Sequence, residues 1–362
     1  MLTTVHRATD GRIFHREAKT LAEAGLRICI MGPNASIEDT GRVSFEILKS
    51  HETRIGRLKM GWNLLKRSLE LNAGLYIFHD PELFGVGLLL TMMRRKVVYD
   101  CHENLPMQIL QKEWLPKPMR WLLVPAIWLA EWSGARLLAG VMVARDRVLK
   151  RFPRRKTILV RNYPSADAVR ILSRGIPVEQ RRNLVIYAGG LSRVRGIAEL
   201  VDAFREIEVR EAELWLLGEF DDEAFRTELL GALPANVKWL GWKAPTEVLE
   251  LYQYAKLGAL LLYPTPSHRH SLPIKLYEYL AAGLPVIATD MPELADSLEG
   301  CGILVNPRDV KQVREAIVRL LSDGVAVAKM SAAARQRAAT HYSWEPEGQR
   351  LIQFCNELIS HE

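Results

Sequence analysis

The stretch Ser271-Leu-Pro-Ile-Lys-Leu-Tyr-Glu278-Tyr-Leu-Ala-Ala-Gly283-Leu-Pro285-Val-Ile-Ala-Thr-Asp290 decides the fold. Before it stand an apolar run, Leu257-Gly-Ala-Leu-Leu-Leu-Tyr263, which reads as a buried strand, and a polar loop, Pro264-Thr-Pro-Ser-His-Arg-His270. Pro273 then opens a helix at a position where a missing N–H removes no intrahelical bond. Gly283 ends that helix, Pro285 prevents its continuation, and Val286–Thr289 is the next strand. Strand, loop, helix and strand in this order make a parallel α/β unit. The N–H groups of Ile274, Lys275 and Leu276 are expected to point out of the helix start at the end of a parallel strand, a place that suits an anion. Lys275 adds a full charge there, and Glu278, one turn deeper, is placed to accept two ribose hydroxyls. A well-capped strand–helix unit with a surface Lys and Glu fits the stretch alone equally well.

At 362 residues the chain is expected to hold two domains. Its hydrophobic content of 48% and charged content of 25% are ordinary for a soluble globular enzyme. Cys29, Cys101, Cys301 and Cys355 are far apart and form no CxxC pair, so neither a disulfide framework nor a zinc site is expected and a reducing cytoplasm fits. Met1-Leu-Thr-Thr-Val-His-Arg7 turns polar too early for a signal peptide. The formal charge of +7 is uneven: residues 1–162 hold 27 Lys+Arg against 15 Asp+Glu, and residues 163–362 hold 22 against 27. A front half of +12 beside a rear half of −5 implies that the front faces something anionic: nucleic acid, a membrane surface or a phosphorylated acceptor.

Short apolar strands alternate with amphipathic helices along the whole chain. The front strands are expected at Leu2–Val5, Leu26–Met31, Val43–Ile47, Leu75–Phe78, Lys96–Tyr99, Gly140–Val143 and Thr157–Val160, with helices at Ile13–Ala24, Ile55–Leu71 and Pro118–Arg136. The rear strands are expected at Leu184–Ala188, Glu213–Leu217, Val237–Leu240, Leu257–Tyr263, Val286–Thr289 and Gly302–Val305. This alternation predicts an α/β protein with two doubly wound, Rossmann-like domains. The polar, proline-containing stretch from Arg161 to Asn183 holds the boundary, giving domains 1–165 and 166–344, with a last helix in 345–362 packing back on the first.

The segment Met119-Arg-Trp-Leu-Leu-Val-Pro-Ala-Ile-Trp-Leu-Ala-Glu-Trp132 is too short to span a membrane and is broken by Pro125 and Glu131. Trp121, Trp128 and Trp132 recur at spacings of seven and four, one helix face. That face either packs in the core or lies at a membrane interface, with Lys117, Arg120 and the basic run Arg145–Lys156 nearby.

The rear domain opens with Val185-Ile-Tyr-Ala-Gly-Gly-Leu-Ser-Arg193-Val-Arg195-Gly196-Ile, a strand running through a glycine turn and two arginines into a helix. Gly189 and Gly190 allow backbone to approach a ligand closely, and Arg193 and Arg195 suit a diphosphate. With this motif paired to 271–290, the chain resembles the GT4 family of retaining glycosyltransferases, which have the GT-B fold of two Rossmann-like domains facing a central cleft. "DGRIFHREAKTLAEAG", "YIFHDPEL" and "KVVYDCHENLP" in the front half are similar to the family's first loop and helix and to its cleft-facing strand ends, so the resemblance covers essentially the whole chain.

The resemblance implies a metal-independent hexosyltransferase that takes a nucleotide diphosphate sugar, with no cofactor. Catalysis would fall to His102, Arg195 and Lys275, His102 lying beside the transferred sugar and orienting it. Donor binding would fall to Gly189, Gly190, Arg193, Arg195, His270, Ser271, Leu272, Ile274, Lys275, Leu276 and Glu278, with Glu278 on the ribose. His270 stands where the family has a first glutamate, and Gly190 and Arg195 stand where it has Arg and Lys; Arg193 is expected to supply the missing charge. Gly218, Gly241, Trp242 and Lys243 would lie near the base, and Asp10, Gly11, His79, Asp100 and Glu103 toward the acceptor. Asp80 is expected either to line the cleft or to cap a helix.

The expected function is retaining transfer of a sugar, from a UDP-sugar by preference, to a glycan or lipid-linked acceptor in cell-surface polysaccharide or glycoconjugate synthesis. The expected location is cytoplasmic and peripheral to the inner face of the plasma membrane. The rivals are a nucleotide-sugar epimerase or hydrolase, which would turn over without acceptor, and an inactive transferase-like partner subunit, prompted by His270. A basic nucleic-acid-binding protein fits least, because residues 143–156 interleave only Phe152 among their cations.

Overall fold

The computed structural model describes residues 1–33, 41–48, 54–102, 105–110, 115–173, 175–266, 268–269 and 273–360. The chain divides into two compact units, Met1–Asn162 with Trp344–Glu362, and Tyr163–Ser343. Tyr163 to Ser165, assigned from sequence to the first domain, go with the second. Tyr163 explains why: its ring packs edge-on against Tyr277 and beside Tyr342, both in that unit.

In the second unit β7 (Leu184–Ala188), β8 (Glu213–Leu217), β9 (Val237–Trp239), β10 (Leu257–Leu260), β11 (Val286–Thr289) and β12 (Gly302–Val305) form one parallel sheet. Their order is β12-β11-β10-β7-β8-β9. The chain leaves β7 in one direction, reaches β9, and returns to the other side of β7 as β10, so the switch point of a doubly wound sheet lies between β7 and β10. Strand alternation sorts the core: Leu184 and Ile186 face Tyr279 and Leu280, while Val185 and Tyr187 face Ile197 and Phe204. Gly258 in β10 lets the Tyr279 ring lie on the sheet where a β-carbon would strike it. β10 is shorter than the apolar run to Tyr263 predicts. After Leu260 the ladder ends and other partners take over: the Tyr263 N–H donates to the Val194 carbonyl at 2.8 Å, and Thr289 donates its hydroxyl to the Leu262 carbonyl at 2.7 Å.

In the first unit β1 (Ile28–Pro33), β2 (Val43–Leu48), β3 (Tyr76–Phe78), β4 (Val97–Cys101), β5 (Gly140–Val143) and β6 (Thr157–Leu159) are also parallel. Leu2 bridges Met31 in β1 and Phe78 in β3, which joins the order β2-β1 to β3-β4-β5-β6. The strand expected over Leu2–Val5 shrinks to that bridge. The carboxylate of Asp80 draws the chain out of the ladder: its Oδ2 accepts from Thr4 N at 2.5 Å, Val5 N at 3.1 Å and Thr3 Oγ1 at 2.7 Å.

The helix expected over Ile13–Ala24 begins as a π-helix, Ile13–Ala18, and continues as an α-helix, Lys19–Glu23. The Glu17 N–H donates to the Arg12 carbonyl at 2.9 Å, five residues back. This wider turn aligns positions five apart, which an α-turn would splay, and so sets Glu17 over Arg12.

The helix Glu345–Ser360 completes the first unit. Leu351, Phe354 and Cys355 pack on Ile77, Val98 and Met142 of the sheet, and the Trp344 indole donates to Thr20 Oγ1 at 2.7 Å. Leu351 is wholly buried, so Leu351→Ala is expected to cost the first unit about 2–5 kcal/mol. Urea unfolding followed by circular dichroism reads this as a lower midpoint; an unchanged midpoint would show that this helix adds nothing.

Candidate functional site

The chain leaves β7 through Gly189 and Gly190. Gly189 has φ of +136°, and a β-carbon on it would run into the Lys275 ammonium. Lys275 reaches this turn from the start of the helix Ile274–Ala281. Its Nζ donates to the Tyr187 hydroxyl at 3.0 Å and lies 4.1 Å from the centre of the Tyr187 ring. Tyr187 in turn donates to the Gly190 carbonyl at 2.9 Å, and its hydroxyl also meets the Arg195 guanidinium. Burial lowers the Lys275 pKa. For Tyr187 burial acts upward, but Lys275 and Arg195 outweigh it and the phenol is held below its usual value. Two cations thus converge on a glycine turn at the carboxyl ends of β7 and β10, and an anion bound there would return to Lys275 what burial removes.

The neighbouring turns are stitched to this one. Gly189 N donates to the Leu217 carbonyl at 2.9 Å, and Gly218 N to the Gly241 carbonyl at 2.8 Å. A β-carbon on Gly218, whose φ is +132°, would strike the Gly189 carbonyl. Glu278, one turn beyond Lys275, accepts from the Tyr252 hydroxyl at 3.4 Å. A groove of about 720 Å³ lined by Arg182, Asn183, Glu213 and Asn236 lies at the opposite, amino ends of β7 and β8, away from this cluster.

Some expected residues are placed otherwise. The Leu276 N–H is taken by the Pro273 carbonyl at 3.0 Å, so it does not face an incoming anion. Arg193 turns outward, pairs with Glu228 and covers the Phe225 ring at 4.6 Å, so it does not supply the charge missing at Gly190. Lys243 pairs with Glu247 at 3.0 Å, and Trp242 is half-exposed. His270, Ser271 and Leu272 lie outside the described residues, as does Glu103 of the first unit.

The first unit holds a second cluster, centred on Asp100 at the end of β4. Asp100 is wholly buried. Arg12 grips it with two bonds, Nε to Oδ2 at 2.9 Å and Nη2 to Oδ1 at 2.8 Å, and uses Nη1 on the Val160 carbonyl at 2.9 Å. His102 Nε2 lies 2.5 Å and His79 Nδ1 3.1 Å from Asp100 Oδ2. Burial acts to raise the Asp100 pKa, but Arg12 and His102 overcome it and hold the carboxyl well below its usual value. Burial lowers the His79 pKa to about 4, so its imidazole is neutral. Glu17 has the opposite fate: burial first, then the Asp100 charge, push its pKa well above normal, although Arg12 Nε lies 2.8 Å from its Oε1.

Asp100 and His79, expected on the acceptor side, are therefore interior supports, and His102, 16% exposed, is the member of the cluster that reaches solvent. The nearest N and O atoms of His79, Asp100 and His102 lie within 4.8 Å of one another, a spacing a metal ion can span, but Arg12 already occupies both Asp100 oxygens. Asp10 spends its Oδ1 on the N–H groups of Arg12 and Ile13, at 2.7 and 3.2 Å, and the Gly11 carbonyl accepts from Arg16 at 2.7 Å. Asp80 lines no open surface and makes no side-chain helix cap; it clamps Thr3–Val5. Arg12, Glu17, Tyr187 and Tyr252 were not singled out by the sequence. Tyr187 alone had a signal, standing two residues before the glycine turn.

Residues 182–323 match the family described as Glycosyl transferases group 1. A curated relative, the GDP-mannose-dependent monoacylated alpha-(1-6)-phosphatidylinositol monomannoside mannosyltransferase of Corynebacterium glutamicum, is 27% identical over 39% of this chain and 38% of its own length. The chain thus spans about two fifths of that relative. The O-antigen chain mannosyltransferase B of Escherichia coli is 24% identical over 75% of this chain and 71% of its own. Among solved structures, Anabaena HepE in complex with UDP and glucose superposes with a TM-score of 0.71 at 16% identity, covering 98% of each chain. Both units thus have the parallel architecture of the GT-B fold.

The Glu17 shift has a testable sign. A pKa raised on folding gives a contribution that is full below about 4.5, the ordinary value, and is lost as pH rises through the folded pKa. Glu17→Gln, which is permanently uncharged, should match the parent near pH 4.5 and gain stability relative to it as pH rises. Urea midpoints at acid and alkaline pH read the difference, and a constant offset would contradict the assignment.

Proposed function

We propose that this GT4-like glycosyltransferase moves a hexose from a nucleotide diphosphate sugar, with retention, to a glycan or lipid-linked acceptor of the cell surface. The observation that carries the reading is the meeting of Lys275 and Arg195 on the Gly189–Gly190 turn, at the switch point of the second sheet. As the bond from sugar to diphosphate breaks, charge accumulates on the leaving oxygens. Preorganised cations beside a helix start stabilise it in place, with no metal or other cofactor. Glu278, steadied by Tyr252, takes the ribose.

In the first unit His102 orients the transferred sugar. Asp100 fixes the ring by accepting at its Nε2, and Arg12 keeps Asp100 ionised. The acceptor hydroxyl gives its proton to the departing phosphate, so retention needs no enzymic nucleophile. UDP-sugar is the favoured donor, a choice supported by the UDP and glucose held by HepE; the Corynebacterium relative's name points to GDP-mannose as the competing donor. The O-antigen relative supports a cell-surface product. The enzyme works in the cytoplasm, peripheral to the inner face of the plasma membrane, with the basic first unit toward anionic lipid.

A thermal-shift screen of UDP-, GDP- and ADP-sugars tests the reading, because a ligand bound to the fold raises its apparent stability. Lys275→Ala, Arg195→Ala and Glu278→Ala are each expected to weaken the donor that binds by about 10–100-fold. No stabilisation by any donor, or affinity unchanged from the parent in all three variants, would remove the proposal.

A further inference from the structure

We infer that one face of the helix Lys117–Leu137 is a docking surface for an anionic lipid bilayer. The spacing of Trp121, Trp128 and Trp132 left core packing and an interface both open, and the structure turns this face to solvent. Trp121 and Leu122 are 70% and 73% exposed, Trp128 and Leu129 42% and 55%. At 3.6 residues per turn these four side chains fall within about 120° of arc, on a helix about 30 Å long. The opposite side is already spent. Gly134 packs against the Phe84 ring, and Glu131 is buried, bonding to Tyr99 at 3.2 Å and to Arg151. So large an exposed apolar stripe on an anchored helix marks an interaction surface.

Charge selects the occupant. Glu131 is the only acid of the helix and it points inward, whereas Lys117 and Arg136 are exposed at its two ends. Arg136 stacks on the Trp132 ring at 3.1 Å from its centre. A second copy of this chain would bring a like-charged front half against this face, since residues 1–162 carry 27 cations and 15 acids. Anionic headgroups bring the opposite charge. Tryptophans and leucines on one face with basic residues at the ends suit a helix lying in the headgroup plane.

Pro125 removes the N–H that would otherwise donate to the Trp121 carbonyl, and a backbone acceptor so released is satisfied more readily at the wet interface than in dry hydrocarbon. Among the described residues no helix is long and apolar enough to cross a membrane, so the contact is one of lying on the surface. The inference rests on the proposed peripheral location for the side of the membrane involved; it does not depend on the donor chemistry.

Co-sedimentation of the full chain with phosphatidylglycerol-rich and pure phosphatidylcholine vesicles, at low and moderate salt, tests it. The parent should bind the anionic vesicles, less so as salt rises, with a blue shift of tryptophan emission. The double variant Trp121→Glu with Leu122→Glu should bind at least about ten-fold more weakly, the least expected from withdrawing one leucine-sized side chain from an apolar environment. Lys117→Glu should weaken binding to the anionic vesicles alone. Unchanged binding in the double variant, equal binding to both vesicle types, or parent self-association abolished by the double variant without vesicle binding would each overturn the proposal. Donor thermal shift, followed in the same variants, keeps the two readings apart: it should survive both changes. Vesicle binding without any donor response would sink the transfer reading and leave the docking face standing.

Discussion

Two glycines let the loops of the second unit close on one another. Gly189 holds a φ of +136°, a backbone conformation that L side chains rarely adopt, and in that turn it leaves room for the Lys275 ammonium, which a β-carbon would displace. Through this contact the two strands flanking the switch point share one charged centre. Gly218 makes the tighter approach from β8, to the backbone carbonyl of Gly189, and donates its N–H to the Gly241 carbonyl, so the turns after β7, β8 and β9 are held against one another by backbone contacts. The Tyr187 hydroxyl then draws Lys275 and Arg195 to one point beside these turns, the preorganisation on which the proposed stabilisation of a leaving group rests.

The first unit builds its centre by a different route, through buried charge. Its centre is a buried carboxylate held ionised by a bidentate arginine, with two imidazoles on the same oxygen and a second carboxyl, Glu17, whose pKa burial and the Asp100 charge raise, beside the arginine. Such a network is costly if any member is lost, since each removal strands a partner in low dielectric. It holds His102 in one orientation while letting only that residue emerge.

The parallel strands were legible because their apolar runs are short, β-rich and bounded by glycine and proline; β5, β7, β8, β11 and β12 fall on the residues expected. Misreadings arise where a side chain outcompetes the backbone ladder. Asp80 lies some seventy-five residues from the Thr4 and Val5 amides it captures, a pairing no local window contains. The Arg12–Glu17 pair depends on a π-turn, and an α-helical reading of the same residues separates them. Arg193 and Arg195 stand two apart in one motif, yet Glu228 diverts the first and Tyr187 engages the second. The tryptophan spacing showed a common face and carried no information on which way that face points.

The discontinuity of the first unit has a consequence for synthesis. Its sheet is covered on one side by Leu351 and Phe354, which the ribosome delivers only after the whole of Tyr163–Ser343. At about 5–20 residues per second that intervening segment takes roughly 10–40 s to emerge. For this interval Ile77, Val98 and Met142 lack their cover, while the glycosyltransferase-like second unit completes itself from contiguous chain. The nascent protein therefore passes through a stage with one finished half and one sticky half, and that stage is where a chaperone would find it.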